Sequence, residues 1–247
     1  MFKPFLLLQL RPEDEASDNE YNSFLEFTEL DAKYLQRIRM DQSGLPKNLN
    51  FNDYSGVIVG GGPSNISSPD NKKYPEQKIF EPQLLSLIGN LVDADFPFLG
   101  VCYGLGALVY QQGGIVNNVY EEPVGTIQIS LTNAAKDDLV FKGINSSFYA
   151  YVGHKEACFK LSDNVKLLAS SPSCPVQAVK VKNNLYATQF HIELDHPSLA
   201  SRIDIYKHHG YFMPEESEDI KNKAAQYKVV EPMEILKNFV NLYLKST

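Results

Sequence analysis

The stretch FLGVCYGLGALVYQQGG, Phe98 to Gly114, sets the tightest limit on the fold. A short apolar run, PFLGVC (97–102), passes into a second apolar stretch that is closed by glycines. A run of that length reads as a fully buried strand, and a buried strand leading straight into a helix is half of a parallel βα unit. Cys102 stands at the junction, with Gly100 and Gly104 on either side. This G-x-C-x-G turn is the cysteine form of a nucleophile elbow. Glycine is needed there because a tight turn brings backbone against backbone. The helix would aim its free N–H groups and partial positive charge at the sulfur, which favours thiolate. The competing reading is a small buried hydrophobe at the end of a strand, and the elbow alone leaves both open.

The same alternation runs through the first half of the chain. PFLLLQL (4–10) is a buried strand, 11–20 a polar loop, and YNSFLEFTEL (21–30) carries apolar residues at helical spacing. YLQRIRM (34–40) alternates as a strand, 41–56 is loop, and GVIVGGGPSN (56–65) is a strand running into a glycine turn. Residues 76–92 read as a helix, with Pro82 a kink or a late start. Strand and helix in turn predict an α/β fold with a parallel sheet. From 115 to 190 the pattern becomes short strands, among them TIQISLT, SSFYAYVG, VKLLASS, VQAVKVKN and NLYATQF, as expected for an antiparallel or mixed extension. Residues 195–210 read as a helix capped by Asp195 or His196, with His208 and His209 closing it. Residues 212–226 read as a charged surface excursion and 231–245 as a closing amphipathic helix.

Composition narrows the function. The 247 residues are 43% hydrophobic, enough for a sizeable core, and 1–247 is read as a single domain. The net charge of −7, without a basic run, argues against nucleic acid and anionic membrane as partners. The amino terminus has too short an apolar core for a signal peptide, and no segment approaches the roughly 20 apolar residues of a membrane span. A cytoplasmic protein is expected. Cys102, Cys158 and Cys174 form neither a disulfide framework nor a CxxC pair, and the last two are expected to be inert.

A cysteine nucleophile needs a base, and the base needs an orienting group. YATQFHIE (186–193) supplies both: on a strand, His191 and Glu193 point to one face, so Glu193 can hold one imidazole nitrogen while the other faces Cys102. The order Cys, His, acid disfavours the α/β-hydrolases, where the acid precedes the histidine. Gly60-Gly61-Gly62-Pro63-Ser64 follows an apolar strand and can turn backbone N–H groups inward for an oxyanion. It lacks the GK[ST] ending of a phosphate loop. His191, Glu193 and His196 lack metal-binding helical spacing, so neither a metal nor another cofactor is expected.

VIVGGGPS, LGVCYG and TQFHIE, in this order, resemble the class I (triad-type) glutamine amidotransferase domain, in particular stand-alone members related to the glutaminase half of GMP synthase. The resemblance covers roughly 50–195. It implies a flavodoxin-like three-layer sandwich, mostly parallel with an antiparallel extension. Cys102 is then the nucleophile, His191 the base and Glu193 its partner, and the oxyanion donors are the N–H groups of Gly61 or Gly62 and of Tyr103. His154, in Gly153-His-Lys-Glu156, resembles a histidine that borders the substrate pocket. Two positions depart from the family: Ile192 replaces the usual proline, and Gly106 stands where many members carry a glutamine beside the substrate. The implied reaction is cleavage of the γ-glutamyl amide of glutamine through a thioester, with ammonia passed to a separate synthase. Two alternatives are a γ-glutamyl peptide hydrolase or transferase with the same triad, and a non-catalytic binding protein that kept the fold.

Overall fold

The computed structural model describes residues 2–244. Its strands are β1 (Phe5–Gln9), β2 (Leu35–Arg39), β3 (Gly56–Val59), β4 (Phe98–Val101), β5 (Ile115–Asn117), β6 (Glu122–Leu131), β7 (Ser147–His154), β8 (Ala157–Lys160), β9 (Val165–Ser170), β10 (Ala178–Val181) and β11 (Leu185–Thr188). The helices are α1 (Asp14–Thr28), α2 (Met40–Ser43), α3 (Pro75–Asp93), α4 (Tyr103–Gln111), α5 (Asn133–Lys136), α6 (His196–Ile205), α7 (Ser217–Ala224) and α8 (Glu231–Tyr243).

A nine-stranded sheet in the order β2-β1-β3-β4-β11-β10-β9-β6-β7 divides the molecule. The strands from β2 to β11 pair in parallel, and β10, β9, β6 and β7 continue the sheet antiparallel. The flavodoxin-like expectation therefore holds, with β5 and β8 adding a small antiparallel pair that the sequence did not announce. Because successive side chains point to opposite faces, the apolar β1 feeds two cores. Leu6 and Leu8 join Phe80, Leu84 and Leu108 under α3 and α4, while Phe5 and Leu7 join Phe24 and Phe239 under α1 and α8. A third cluster, Tyr151, Leu194, Leu199, Ile203 and Ala224, packs α6 and α7 against β7.

Several boundaries differ from expectation. The polar 11–20 is not loop: α1 begins at Asp14, whose charge and that of Glu15 suit a helix N-terminus. Its buried face starts with Ala16, Ser17 and Glu20, of which only the small Ala16 is apolar, so apolar periodicity is weak there. Helix α3 runs through Pro82 without ending. Helix α6 stops at Ile205, so His208 and His209 lie beyond it and do not close it; Asp195, not His196, is its cap, accepting from the Ser198 N–H at 2.8 Å. The expected closing helix ends at Tyr243, and Lys245 lies outside the described residues. The 212–226 segment is not only a surface excursion, since Phe212 borders the site described next.

Candidate functional site

The parallel strands β1, β3, β4 and β11 deliver their carboxyl ends to one edge, where open α/β sheets carry their sites. Four short segments meet there. They are Leu10-Arg11 after β1, Gly60–Gly62 after β3, Cys102 after β4 and Gln189–Glu193 after β11.

Cys102 adopts φ 53° and ψ −98°, a conformation that L residues rarely take. The glycines around it are sterically required. A Cβ on Gly100 would lie 2.6 Å from the Gly104 carbonyl carbon, and one on Gly104 would lie 3.0 Å from the Val59 oxygen. The Cys102 N–H donates to Thr188 O at 2.7 Å, tying the elbow to β11. Gly106 is different: a Cβ there would meet nothing closer than Ile66 at 3.7 Å and Glu156 at 3.8 Å. A methyl there would make ordinary contacts without a clash.

His191 is not on a strand as expected, because β11 ends at Thr188, whose hydroxyl donates to Phe190 O at 2.9 Å. It is held instead by an isolated bridge to Tyr151, donating its N–H to Tyr151 O at 2.9 Å. The expected side-chain pairing forms nonetheless. His191 Nδ1 donates to Glu193 Oε1 at 2.8 Å. Burial alone would push the imidazole's pKa down; the Glu193 carboxylate and the Cys102 sulfur outweigh it and hold His191 at about 9. Burial would raise Glu193, but His191 and Arg202 override it and keep the carboxyl well below the usual range.

The glycine loop lies over these groups. A Cβ on Gly61 would be 3.2 Å from His191 Cε1 and 3.5 Å from Cys102 Cβ. Gly62 borders the clefts on both sides of Cys102. Among the described residues no acceptor takes the N–H of Gly61, Gly62 or Tyr103. His154 lines the cleft that holds Tyr103, Gly106 and Glu156. Its Nε2 faces Glu122 Oε2 at 2.8 Å and its Nδ1 faces Glu156 O at 3.0 Å, so the ring is fixed on both sides. His196 donates instead to Lys221 O at 3.0 Å. Burial pushes Cys158 up to about 11 and Cys174 up to about 12, which keeps both as thiols.

Sequence reasoning missed several residues at this edge. Arg202 donates to Glu193 Oε1 at 2.9 Å, and Arg11 donates to Glu20 Oε1 at 2.9 Å and to the Tyr206 hydroxyl at 3.2 Å. Gln189 Nε2 lies 3.8 Å from Cys102 Sγ. Gln189 could have been found, since it precedes His191 by two residues; Arg11 could have been suspected as the polar residue after a central strand. Glu156, which accepts from Ile66 N at 2.6 Å and Ser67 N at 2.9 Å, stood in the quoted GHKE motif. Nothing in the sequence pointed to Tyr211, which touches both clefts.

The family model "Glutamine amidotransferase class-I" matches residues 18–203. The chain belongs to the class I glutamine amidotransferases. Among curated relatives of this glutamine amidotransferase, a glutamine-hydrolyzing GMP synthase subunit of Methanosphaera stadtmanae is 27% identical over 185 residues, 71% of this chain and 87% of that protein. The glutamine-hydrolyzing GMP synthase of Elusimicrobium minutum is 29% identical over 184 residues, 72% of this chain but only 33% of that longer protein. A glutamine amidotransferase from Thermotoga maritima shares the fold with a TM-score of 0.77 at 17% identity, covering 99% of both chains. Another from Methylobacillus flagellatus gives 0.75 at 19%, covering 100% of this chain and 98% of its own. No helix among the described residues is long and apolar enough to cross a membrane.

Proposed function

We propose that this class I amidotransferase cleaves γ-glutamyl amides, glutamine being the simplest, through a thioester on Cys102. The observation that carries the proposal is the meeting of the strained Cys102 elbow with the His191–Glu193 pair, which arrive from different strands. Cys102 thiolate attacks the γ-carbonyl carbon. The oxyanion is met by the free N–H groups of Gly61 or Gly62 and of Tyr103. His191, held as imidazolium by Glu193, gives its proton to the leaving nitrogen as the C–N bond breaks. It then takes a proton from water, which releases glutamate and restores the thiolate. His154 shapes the pocket for the glutamyl half and does not exchange protons with substrate.

With glutamine the leaving group is ammonia. The relative from M. stadtmanae is named as one subunit of a GMP synthase, which supports transfer of that ammonia to a separate synthase. A second reading, hydrolysis of larger γ-glutamyl compounds, is favoured by one observation: the apolar cleft that His191 borders. Treatment with a glutamine-like diazoketone followed by peptide mapping tests the common core of both readings. Modification confined to Cys102 is expected. A protein that stays unlabelled, or carries the label on Cys158 or Cys174, would refute it and leave the binding-protein alternative.

A further inference from the structure

Two clefts of opposite character meet at Cys102. On one side lie Ser64, Asn65, His154, Lys155, Glu156 and Gln189, beside the oxyanion donor Tyr103. On the other lie Val124, Val152, Leu194, Leu199, Ile203 and Phe212, an apolar wall. His191 borders the second cleft and is not among the residues of the first. In the mechanism above His191 protonates the leaving nitrogen, so the leaving amine departs on the apolar side and the glutamyl half occupies the polar side. Ammonia has no apolar surface for such a wall to read.

Two arginines line the apolar cleft, Arg11 and Arg202, and Arg202 is engaged by Glu193 and Asn19. Arg11 is 5% exposed, and its Nε and Nη1 are taken by Glu20 and Tyr206. Its Nη2 has no acceptor among the described residues. That nitrogen would lie 2.8 Å from a Cβ on Gly61, the glycine that also abuts His191 and Cys102. A guanidinium nitrogen that no acceptor takes, at the edge of an apolar wall, suits a carboxylate attached to a hydrocarbon group. Phe212 lies outside the 18–203 match.

We infer that the preferred substrate is a γ-glutamyl dipeptide whose second residue is a small apolar amino acid, with its α-carboxylate on Arg11 and its side chain against Phe212 and Val124. This rests on the thioester reading above. The γ-glutamyl C–N bond breaks, the amino acid leaves as the free amine with a proton from His191, and water supplies the oxygen of the new glutamate carboxylate. No co-reactant other than water is needed.

The test compares kcat/KM of the full chain for γ-glutamylvaline, γ-glutamylvaline amide, γ-glutamylglycine and glutamine. Each ratio is internal to one protein sample and so does not depend on how much of a variant folds. γ-Glutamylvaline should exceed each of the other three by at least about tenfold, the scale of one pocket contact. Arg11→Gln should erase the ratio of acid to amide, and Phe212→Ser should erase the ratio of valine to glycine. Glutamine turned over as well as or better than γ-glutamylvaline would overturn the inference while leaving the thioester mechanism standing. So would ratios that survive both substitutions. If no substrate acylates Cys102, the mechanism falls and takes the inference with it.

Discussion

Arg202 donates to Glu193 Oε1 at 2.9 Å, the same oxygen that receives the His191 N–H. The carboxylate is fully buried and serves two cations through one oxygen. Arg202 thus acts on the site through Glu193, as a positioning residue. Arg202→Met leaves this carboxylate with one neighbour fewer, and urea unfolding should show a loss on the order of 3 kcal/mol. A loss below about 1 kcal/mol would mean that His191 alone satisfies Glu193.

The raised pKa of His191 gives a pH signature. The folded value of about 9 lies above the ordinary 6.5, so the folded state binds the proton more tightly than the unfolded chain. The stability this contributes is fully present below pH 6.5 and is lost as pH rises through 9. Glu193→Gln removes the carboxylate that raises the imidazole, so the decline in stability between these values should flatten. A variant whose alkaline stability profile overlays that of the parent would show that Glu193 does not hold the proton there.

Backbone strain at Cys102 separates two inactive variants. Both Cys102→Ala and Cys102→Gly should abolish turnover, but only glycine occupies φ 53°, ψ −98° without strain. Cys102→Gly should therefore be the more stable by about 1 kcal/mol, roughly 2–4 °C in Tm for a chain of this size. Equal melting temperatures would contradict a strained elbow.

Gly100 and Gly106 should respond oppositely to alanine. At Gly100 the added methyl meets Gly104 backbone at 2.6 Å, and a loss of about 2 kcal/mol or more is expected. At Gly106 nothing lies closer than 3.7 Å, so alanine should stabilise helix α4 by up to about 1 kcal/mol. Thermal unfolding of the two variants decides it; destabilisation at both would mean that α4 needs glycine at 106 for packing.

Gly106→Gln probes the cleft itself. Position 106 borders the same cleft as Cys102, and a glutamine there would fill space and offer an amide to the glutamyl group. The kcat/KM for glutamine and for γ-glutamyl dipeptides should change together, by a factor matching about 1–3 kcal/mol, because both present the same glutamyl half to this cleft. A changed ratio in a folded variant would mean that the cleft at 106 receives the leaving group instead.

What the sequence determined by itself was local. The apolar runs of β1, β3 and β4 specify buried parallel strands because nothing else of that length hides so much hydrocarbon. Gly100, Cys102 and Gly104 specify a turn because only glycine permits the approach that the 2.6 Å figure records. The spacing of His191 and Glu193 brought the pair together even though the strand that was to carry them ends three residues early. Only the tertiary structure decided what lies across from these segments. Helix α1 escaped detection at its start because, beside the small Ala16, its inward face is Ser17 and Glu20, polar residues that are tolerable in the interior only where Gln9 and Arg11 complete their hydrogen bonds. Arg202, Tyr206, Tyr211 and Phe212 reach the site from a helix and a turn far along the chain. A pairing such as Arg11 with Tyr206, 195 residues apart, leaves no periodic trace. Its partners are chosen by burial, which forces each charge to find an opposite one, and burial exists only once the chain has folded.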